Sequence, residues 1–294
     1  LQPSPCEKGE GCDLPHPNLW PIKIKKDCKP LEIPSFWSID KMTSWLKENP
    51  PTGFKLPGCQ EESLDFIDGF AKEQRTNVKI DPGTFRTKDG DLFTTEGLSI
   101  SAVNIPLNSW RNKQQAVCVA TRAESDDAGI QSVMSSLKTL HPFGGERRLA
   151  EIRSTDDISW NCPDVLLDSL KERHFVRMVL ATPALFSHGW LPGWLAGDTL
   201  QGNPPQSKVC LRLRGACVER WIPISGWNME KGQRGPKPIR RLVPAGSVYF
   251  FEVVSGNPQE LSRLWLRSVS DQEQSDGFGL ALWGVWVPGF ETKQ

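Results

Sequence analysis

The sequence predicts an α+β fold of two small modules with antiparallel sheets, and three observations carry that reading. A strand, a helix, a glycine turn and a further strand follow one another twice, about 130 residues apart and without shared sequence identity. The chain has 294 residues, 38% of them hydrophobic and 24% charged, which is enough apolar material for a buried core in one or two domains. The longest uncharged stretch, residues 178–197, is broken by Pro183, Gly189, Pro192, Gly193 and Gly197. It therefore reads as a buried strand and a tight apolar loop, not as a membrane span. Each half then comes close to a ferredoxin-like (RRM-like) module, which suits the pattern better than a doubly wound parallel sheet.

Residues 1–60 are rich in proline and hold Trp20, Trp37 and Trp45. Aromatic rings gain little in a solvated linker, so this segment is expected to be an arm lying on other structure, interrupted by a short helix over 38–47. Asp89-Gly90-Asp91 reads as a turn, followed by strands over 92–95 and 98–103 and a β-rich run over 115–121. Ile130, Val133, Met134, Leu137 and Leu140 recur at helical spacing, predicting a helix over 128–140 with one buried face. In the second half a helix over 164–173 leads into a strand over 174–182. After a long insertion come a strand over 248–254, a helix from Pro258 to Val269, a glycine turn at 277–279 and a strand over 280–287. The expected domains are 1–160, the first module with its proline-rich arm, and 161–294, the second module with a basic insertion over 198–245.

Lys plus Arg and Asp plus Glu number 35 each, so only local charge is informative. Residues 208–241 carry Lys208, Arg212, Arg214, Arg220, Lys231, Arg234, Lys237, Arg240 and Arg241 against Glu219 and Glu230, a local net charge of +7. That segment suits a polyanion. Arg212 and Arg214 alternate along a predicted strand, so both guanidinium groups fall on one face, where they could follow successive phosphates. Residues 230–241 read as a loop with glycine and proline between the charges. A solvated basic loop is the plain alternative, and the neighbouring Trp221 and Trp227 point instead toward single-stranded nucleic acid.

Gly277, Phe278, Gly279 and Gly284 make a glycine-rich turn, which lets backbone N–H groups approach phosphates because no Cβ blocks the way. Gly144 and Gly145, with Arg147 and Arg148 directly after, are a second such turn. Neither has dinucleotide or P-loop spacing, and a tight packing turn is the alternative at both. The eight cysteines show no C-x-x-C spacing and there are four histidines, so neither metal nor cofactor is expected, and the thiols read as those of a reduced, cytoplasmic protein. His16, His141, His174 and His188 are spread out, and no serine lies in a G-x-S-x-G elbow.

Several segments together carry a family resemblance. Arg75-Thr76-Asn77-Val78 with Leu92-Phe93-Thr94-Thr95-Glu96, then Phe143-Gly144-Gly145-Glu146-Arg147-Arg148-Leu149-Ala150, come first. Ala181-Thr182-Pro183-Ala184-Leu185-Phe186 with Gly189-Trp190-Leu191-Pro192 follows, then Val243-Pro244-Ala245-Gly246-Ser247-Val248-Tyr249-Phe250 and Gly277-Phe278-Gly279-Leu280-Ala281-Leu282. In this order, over residues 70–290, they resemble subunit three of the type III-B CRISPR Cmr complex, a repeat-associated mysterious protein (RAMP). The resemblance implies tandem ferredoxin-like modules and a non-catalytic subunit that holds the 5′ repeat-derived tag of the CRISPR RNA (crRNA). It further implies docking to the large Cas10-type subunit and to a neighbouring backbone RAMP subunit, with no membrane involved. By carry-over, Gly277, Phe278, Gly279 and Gly284 form the family's glycine-rich loop, with residues 144–148 near RNA. Family members open with a first strand not found here, which implies that the first module is incomplete at its N-terminus. Two other readings stand beside this one. One is a metal-independent repeat endoribonuclease using His174 or His188, since some related RAMPs cut RNA with a histidine. The other is a purely architectural protein whose basic loop meets an acidic partner.

Overall fold

The computed structural model describes residues 2–6, 13–23, 34–47, 66–67, 71–99, 120–123, 125–143, 149–155, 159–230 and 232–288. Two compact units make up the chain, one of residues 1–68 with 161–294 and one of residues 69–160. The architecture is α+β with antiparallel sheets.

The first unit begins with the ladder of β1 (Gln2–Pro3) and β2 (Ile22–Lys23). The pair β3 (Phe36–Trp37) and β4 (Phe66–Ile67) flanks α1 (Ile39–Lys47), the helix expected from the sequence. The Ser38 hydroxyl accepts a hydrogen bond from the Lys41 N–H at its start, and Met42, Trp45 and Leu46 fall on its inner face at helical spacing.

In the second unit β5 (Ala71–Ile80) and β6 (Thr87–Ser99) form one long hairpin. Its turn is not at residues 89–91. The Asp81 carboxylate accepts from the Gly83 and Thr84 N–H groups, which closes the chain reversal there and holds the Asp81 pKa below the ordinary carboxylate value. Residues 89–91 instead fall inside β6 at a register shift, where Val78 pairs with Leu92 but Ile80 with Thr87. The expected run over 115–121 lies outside the described residues up to 119. Asp127 caps α2 (Ala128–Ser135), which stops well short of residue 140. Ser135 and Ser136 bond back to the carbonyls of Ser132 and Val133, and the chain then enters β7 (Lys138–Pro142), paired with β8 (Leu149–Arg153). The apolar face expected to be buried is exposed at Ile130, Val133 and Leu140.

The first unit resumes at α3 (Asp164–Leu170) and β9 (Phe175–Leu180). Then follow β10 (Gln201–Gly202), β11 (Cys210–Cys217), β12 (Ile222–Ile224), β13 (Trp227–Asn228), β14 (Gly235–Pro236) and β15 (Arg240–Leu242). The chain continues with β16 (Val248–Ser255), a 3-10 helix Pro258–Leu264, β17 (Arg267–Ser268) and β18 (Leu280–Val285). The helix expected to reach Val269 ends at Leu264, because residues 267–268 are drawn into the sheet edge beside β18. Six strands make one antiparallel sheet in the order β10-β11-β16-β9-β18-β17.

Both faces of this sheet are covered. Val176, Met178, Leu180, Tyr249, Phe251 and Trp283 pack with Phe186 and Leu195 of the apolar loop over 181–200. On the opposite face α1 and α3 lie over Val179, Leu282 and Trp265. Trp20 packs on Phe175 and Trp286 there, and Phe250 meets Trp286 edge-on. The described parts of the proline-rich arm thus contribute Leu19, Trp20, Trp45 and Leu46 to the core.

The arm packs tightly on the sheet at Gly284. Phe250, Arg177 and Gly284 form one row across β16, β9 and β18. A Cβ on Gly284 would stand 2.5 Å from the Leu46 carbonyl oxygen, so only glycine admits the helix backbone. Beside it the Arg177 guanidinium, 2% exposed, stacks 3.8 Å from the Trp45 ring centroid. Gly284→Ala is expected to lower stability by about 1–3 kcal/mol through overpacking. Urea unfolding measures this, and an unchanged midpoint would contradict the packing role.

Candidate nucleic-acid interface

One end of the six-stranded sheet gathers most of the expected site. Val179 of β9 is in register with Val248 of β16, which is in register with Cys217 of β11, and Leu180 is in register with Ala281 of β18. The apolar loop after β9, the ribbon after β11 and the glycine turn before β18 therefore all leave from the same edge. They are knitted together by polar bonds. The Thr182 hydroxyl donates to the Gly277 carbonyl at 2.7 Å and accepts from the Leu280 N–H at 2.9 Å. The Ser270 hydroxyl donates to the Leu185 carbonyl and accepts from its N–H. The Asp271 carboxylate accepts from the N–H groups of Ser187 and Gly193. Arg240, at the root of the ribbon, pairs with Glu273 next to the glycine turn.

These contacts define what the expected glycines do. Gly277 and Gly279 both adopt positive φ, so they close the turn. The Gly277 N–H donates to the Gln274 carbonyl and the Gly279 N–H to the Pro183 carbonyl. The two donors expected to reach phosphate are thus committed within the chain, and Phe278 sits half-buried between them with its carbonyl accepting from Ser268. Gly284 lies under α1 and serves packing. Gly144, Gly145, Arg147, Arg148 and Lys231 lie outside the described residues.

The strand arginines also differ from expectation. Arg212 and Arg214 share a face, as the alternation predicted, but both turn to Glu252, which stands opposite Arg212 on β16. Arg214 donates to that carboxylate through Nε at 2.8 Å, gives a further bond to the Asn18 carbonyl, and stacks on Trp20. Its charge is spent on holding the arm. The cations outside such pairs lie on the ribbon, where β12 pairs with β15 and β13 with β14. There Arg241 and Arg220 stack on the Trp221 ring at 4.7 and 5.9 Å, while Arg234 and Lys237 are exposed.

Burial and the nearby Asp164 push the Cys162 thiol up to about 11, and burial raises the Cys217 thiol, the reverse of an activated nucleophile. Burial likewise raises the Tyr249 phenol, which donates to the Trp190 carbonyl, and pulls the Arg177 guanidinium down to about 9. His174 directly precedes β9, whereas His188 lies in the apolar loop after it, eight residues beyond Leu180. Among the described residues no group of three or more His, Cys, Asp or Glu side chains is placed to hold a metal ion. No described helix is long and apolar enough to cross a membrane.

The sequence pattern of the CRISPR-associated Cas_Cmr3 proteins matches residues 12–286. The chain belongs to the Cas_Cmr3 family. Among solved structures it is similar to a chain in a cryo-EM structure of the type III-B Cmr-beta bound to cognate target RNA, at 15% identity and a TM-score of 0.33. The similarity covers 63% of this chain and 45% of that one, so this chain spans less than half of its length. A search of curated proteins returned no match.

Several residues of this Cas_Cmr3 chain that shape the site carried no motif. Glu252 is a lone acid in an apolar strand, and pairing it with Arg212 required the register of β11 on β16. Thr182, Ser270 and Asp271 gave no signal, since their partners lie 78 to 98 residues away. Removing the shared acid in Glu252→Ala leaves two guanidinium groups facing each other and is expected to cost about 1.5–3 kcal/mol of stability, with Glu252→Gln less affected. Equal unfolding midpoints for Glu252→Ala and the parent chain would refute the shared pairing.

Proposed function

We propose that this Cas_Cmr3 chain is a non-catalytic, crRNA-binding subunit of a cytoplasmic type III-B Cmr complex. It holds the 5′ repeat-derived tag of the crRNA and docks to the large Cas10-type subunit and to a neighbouring backbone RAMP subunit. The observation that carries the reading is the charged ribbon of residues 219–241 rooted on the rigid, polar-stitched end of the sheet. Family membership supports it independently. The four strands β11, β16, β9 and β18 follow the order of a ferredoxin-like module, with the loop over 181–200 standing where the first crossover helix would be. We read residues 69–160 as part of a second such module, with Gly144 to Arg148 near the RNA.

RNA contact falls to Arg220, Arg234, Lys237 and Arg241 on the ribbon, with Lys231 between them in sequence and Phe278 at its root. Phosphate neutralisation then sets the affinity, and log Kd shifts with log salt by about 0.7 per contacted phosphate for single strands.

Mixing the protein with labelled crRNA in EDTA and comparing native with denaturing gels tests the reading. A shifted, intact RNA is expected; shortened RNA would establish the nuclease alternative, and an unshifted RNA would refute crRNA binding by this chain. Replacing Arg234, Lys237 and Arg241 with alanine is expected to reduce the salt slope by up to about 2. A slope unchanged by the triple replacement removes the ribbon from the phosphate interface.

A further inference from the structure

The tryptophans of the ribbon are distributed in a way that phosphate binding does not explain. Among the described tryptophans, Trp221 and Trp227 are the exposed ones, at 41% and 58%, and every other is half-buried or buried. Both exposed rings fall in the segment that carries the unpaired cations. Exposing an indole forgoes the burial that the other described tryptophans have.

The two rings are not equivalent. Trp221 is taken up by Arg220 and Arg241, whose guanidinium groups it holds at 5.9 and 4.7 Å. Trp227 has no ring or cation neighbour among the described residues, yet its backbone is fixed. It pairs with Pro236 across the β13-β14 ladder. The Lys237 N–H donates to the Gly226 carbonyl at 2.7 Å, and the Ser225 hydroxyl donates to the Lys237 carbonyl at 2.8 Å. The Asn228 side chain accepts from the Glu230 N–H, which starts the turn. An open indole face thus stands on a pinned ribbon, with Lys237 directly after the facing strand and Arg234 directly before it.

We propose that Trp227 is a stacking platform for an unpaired base of single-stranded RNA, with Arg234, Lys237 and the Trp221-held Arg241 contacting the flanking phosphates. Stacking uses a face that every base possesses, so the contact is independent of sequence. Charge complementarity selects RNA over an apolar protein partner: besides Glu219 and Glu230, residues 219–241 carry only basic charged residues. The inference rests on the crRNA-binding reading and adds the mode of contact.

The test uses the full chain, a fluorescein-labelled oligouridine and anisotropy, with a 5-iodouridine oligomer for photocrosslinking. Trp227→Ala is expected to weaken binding about tenfold or more and Trp227→Phe less than about threefold, both with unaltered thermal unfolding and an unaltered salt slope. The crosslinked peptide should contain Trp227. Parental affinity in Trp227→Ala while the parent chain binds RNA overturns the platform and leaves the crRNA reading intact. Failure of the parent chain to bind overturns both. Intact RNA binding by Trp227→Ala together with lost assembly onto the large subunit would assign the ring to a protein partner and also overturn the proposal.

Discussion

The first unit depends on the docking of one short helix onto one row of a sheet. Phe250, Arg177 and Gly284 lie side by side across three strands, and α1 sets its Leu46 backbone over the glycine and its Trp45 ring over the arginine. A guanidinium in the middle of a central strand is costly to desolvate, and the indole face offsets part of that cost. Trp20 continues the cover over Phe175 and Trp286, while Pro3 and Ile22 close over Gly215. Without these early segments the sheet would present a charged and aromatic row to solvent. With them, neither face is open to a ligand, and binding is left to the loops and ribbons at the edge.

Charge is divided along the same line. Three strand arginines of the first unit are neutralised locally, Arg212 and Arg214 by Glu252 and Arg240 by Glu273, and they serve to hold the arm and the root of the ribbon. Cations that lie beyond the sheet are held on an aromatic ring or stand exposed. A net charge of zero for the whole chain conceals this arrangement. Structural ion pairs account for much of the apparent basic excess in the insertion, and what remains is concentrated on a two-stranded ribbon of short ladders.

The elements that local pattern specifies were legible in the sequence. The helix at 39–47, the strand and apolar loop over 175–200, and the strands at 248–255 and 280–285 follow from hydrophobic spacing and from glycine and proline punctuation. The hairpin of β5 and β6 was misplaced because Asp89-Gly90-Asp91 is a strong turn signal, whereas the turn is made by an aspartate side chain at Asp81. The helix at 128–135 was drawn too long because apolar residues at helical spacing continue into β7, where pairing with β8 takes precedence. Within the site, the common face of Arg212 and Arg214 was legible and their acid was not, because cross-strand register is a tertiary property. The glycine turn was found correctly as a turn, but the occupation of the Gly279 N–H by the Pro183 carbonyl depends on a loop distant in sequence.

The position of β18 in the sheet has a consequence for synthesis on the ribosome. This strand lies directly beside the central β9, and it supplies the glycine on which α1 rests, yet among the described strands it comes last in chain order. The segment holding Trp20 and α1 therefore emerges early and has no surface to settle on until everything up to Val285 has been made. The described strands of residues 69–160 pair with near neighbours in hairpins, so those ladders can form while the rest is still being translated. Trp20 and α1 thus wait without their cover while residues 48–285 are made, an interval in which exposed aromatic surface is open to misassociation and chaperone attendance would matter.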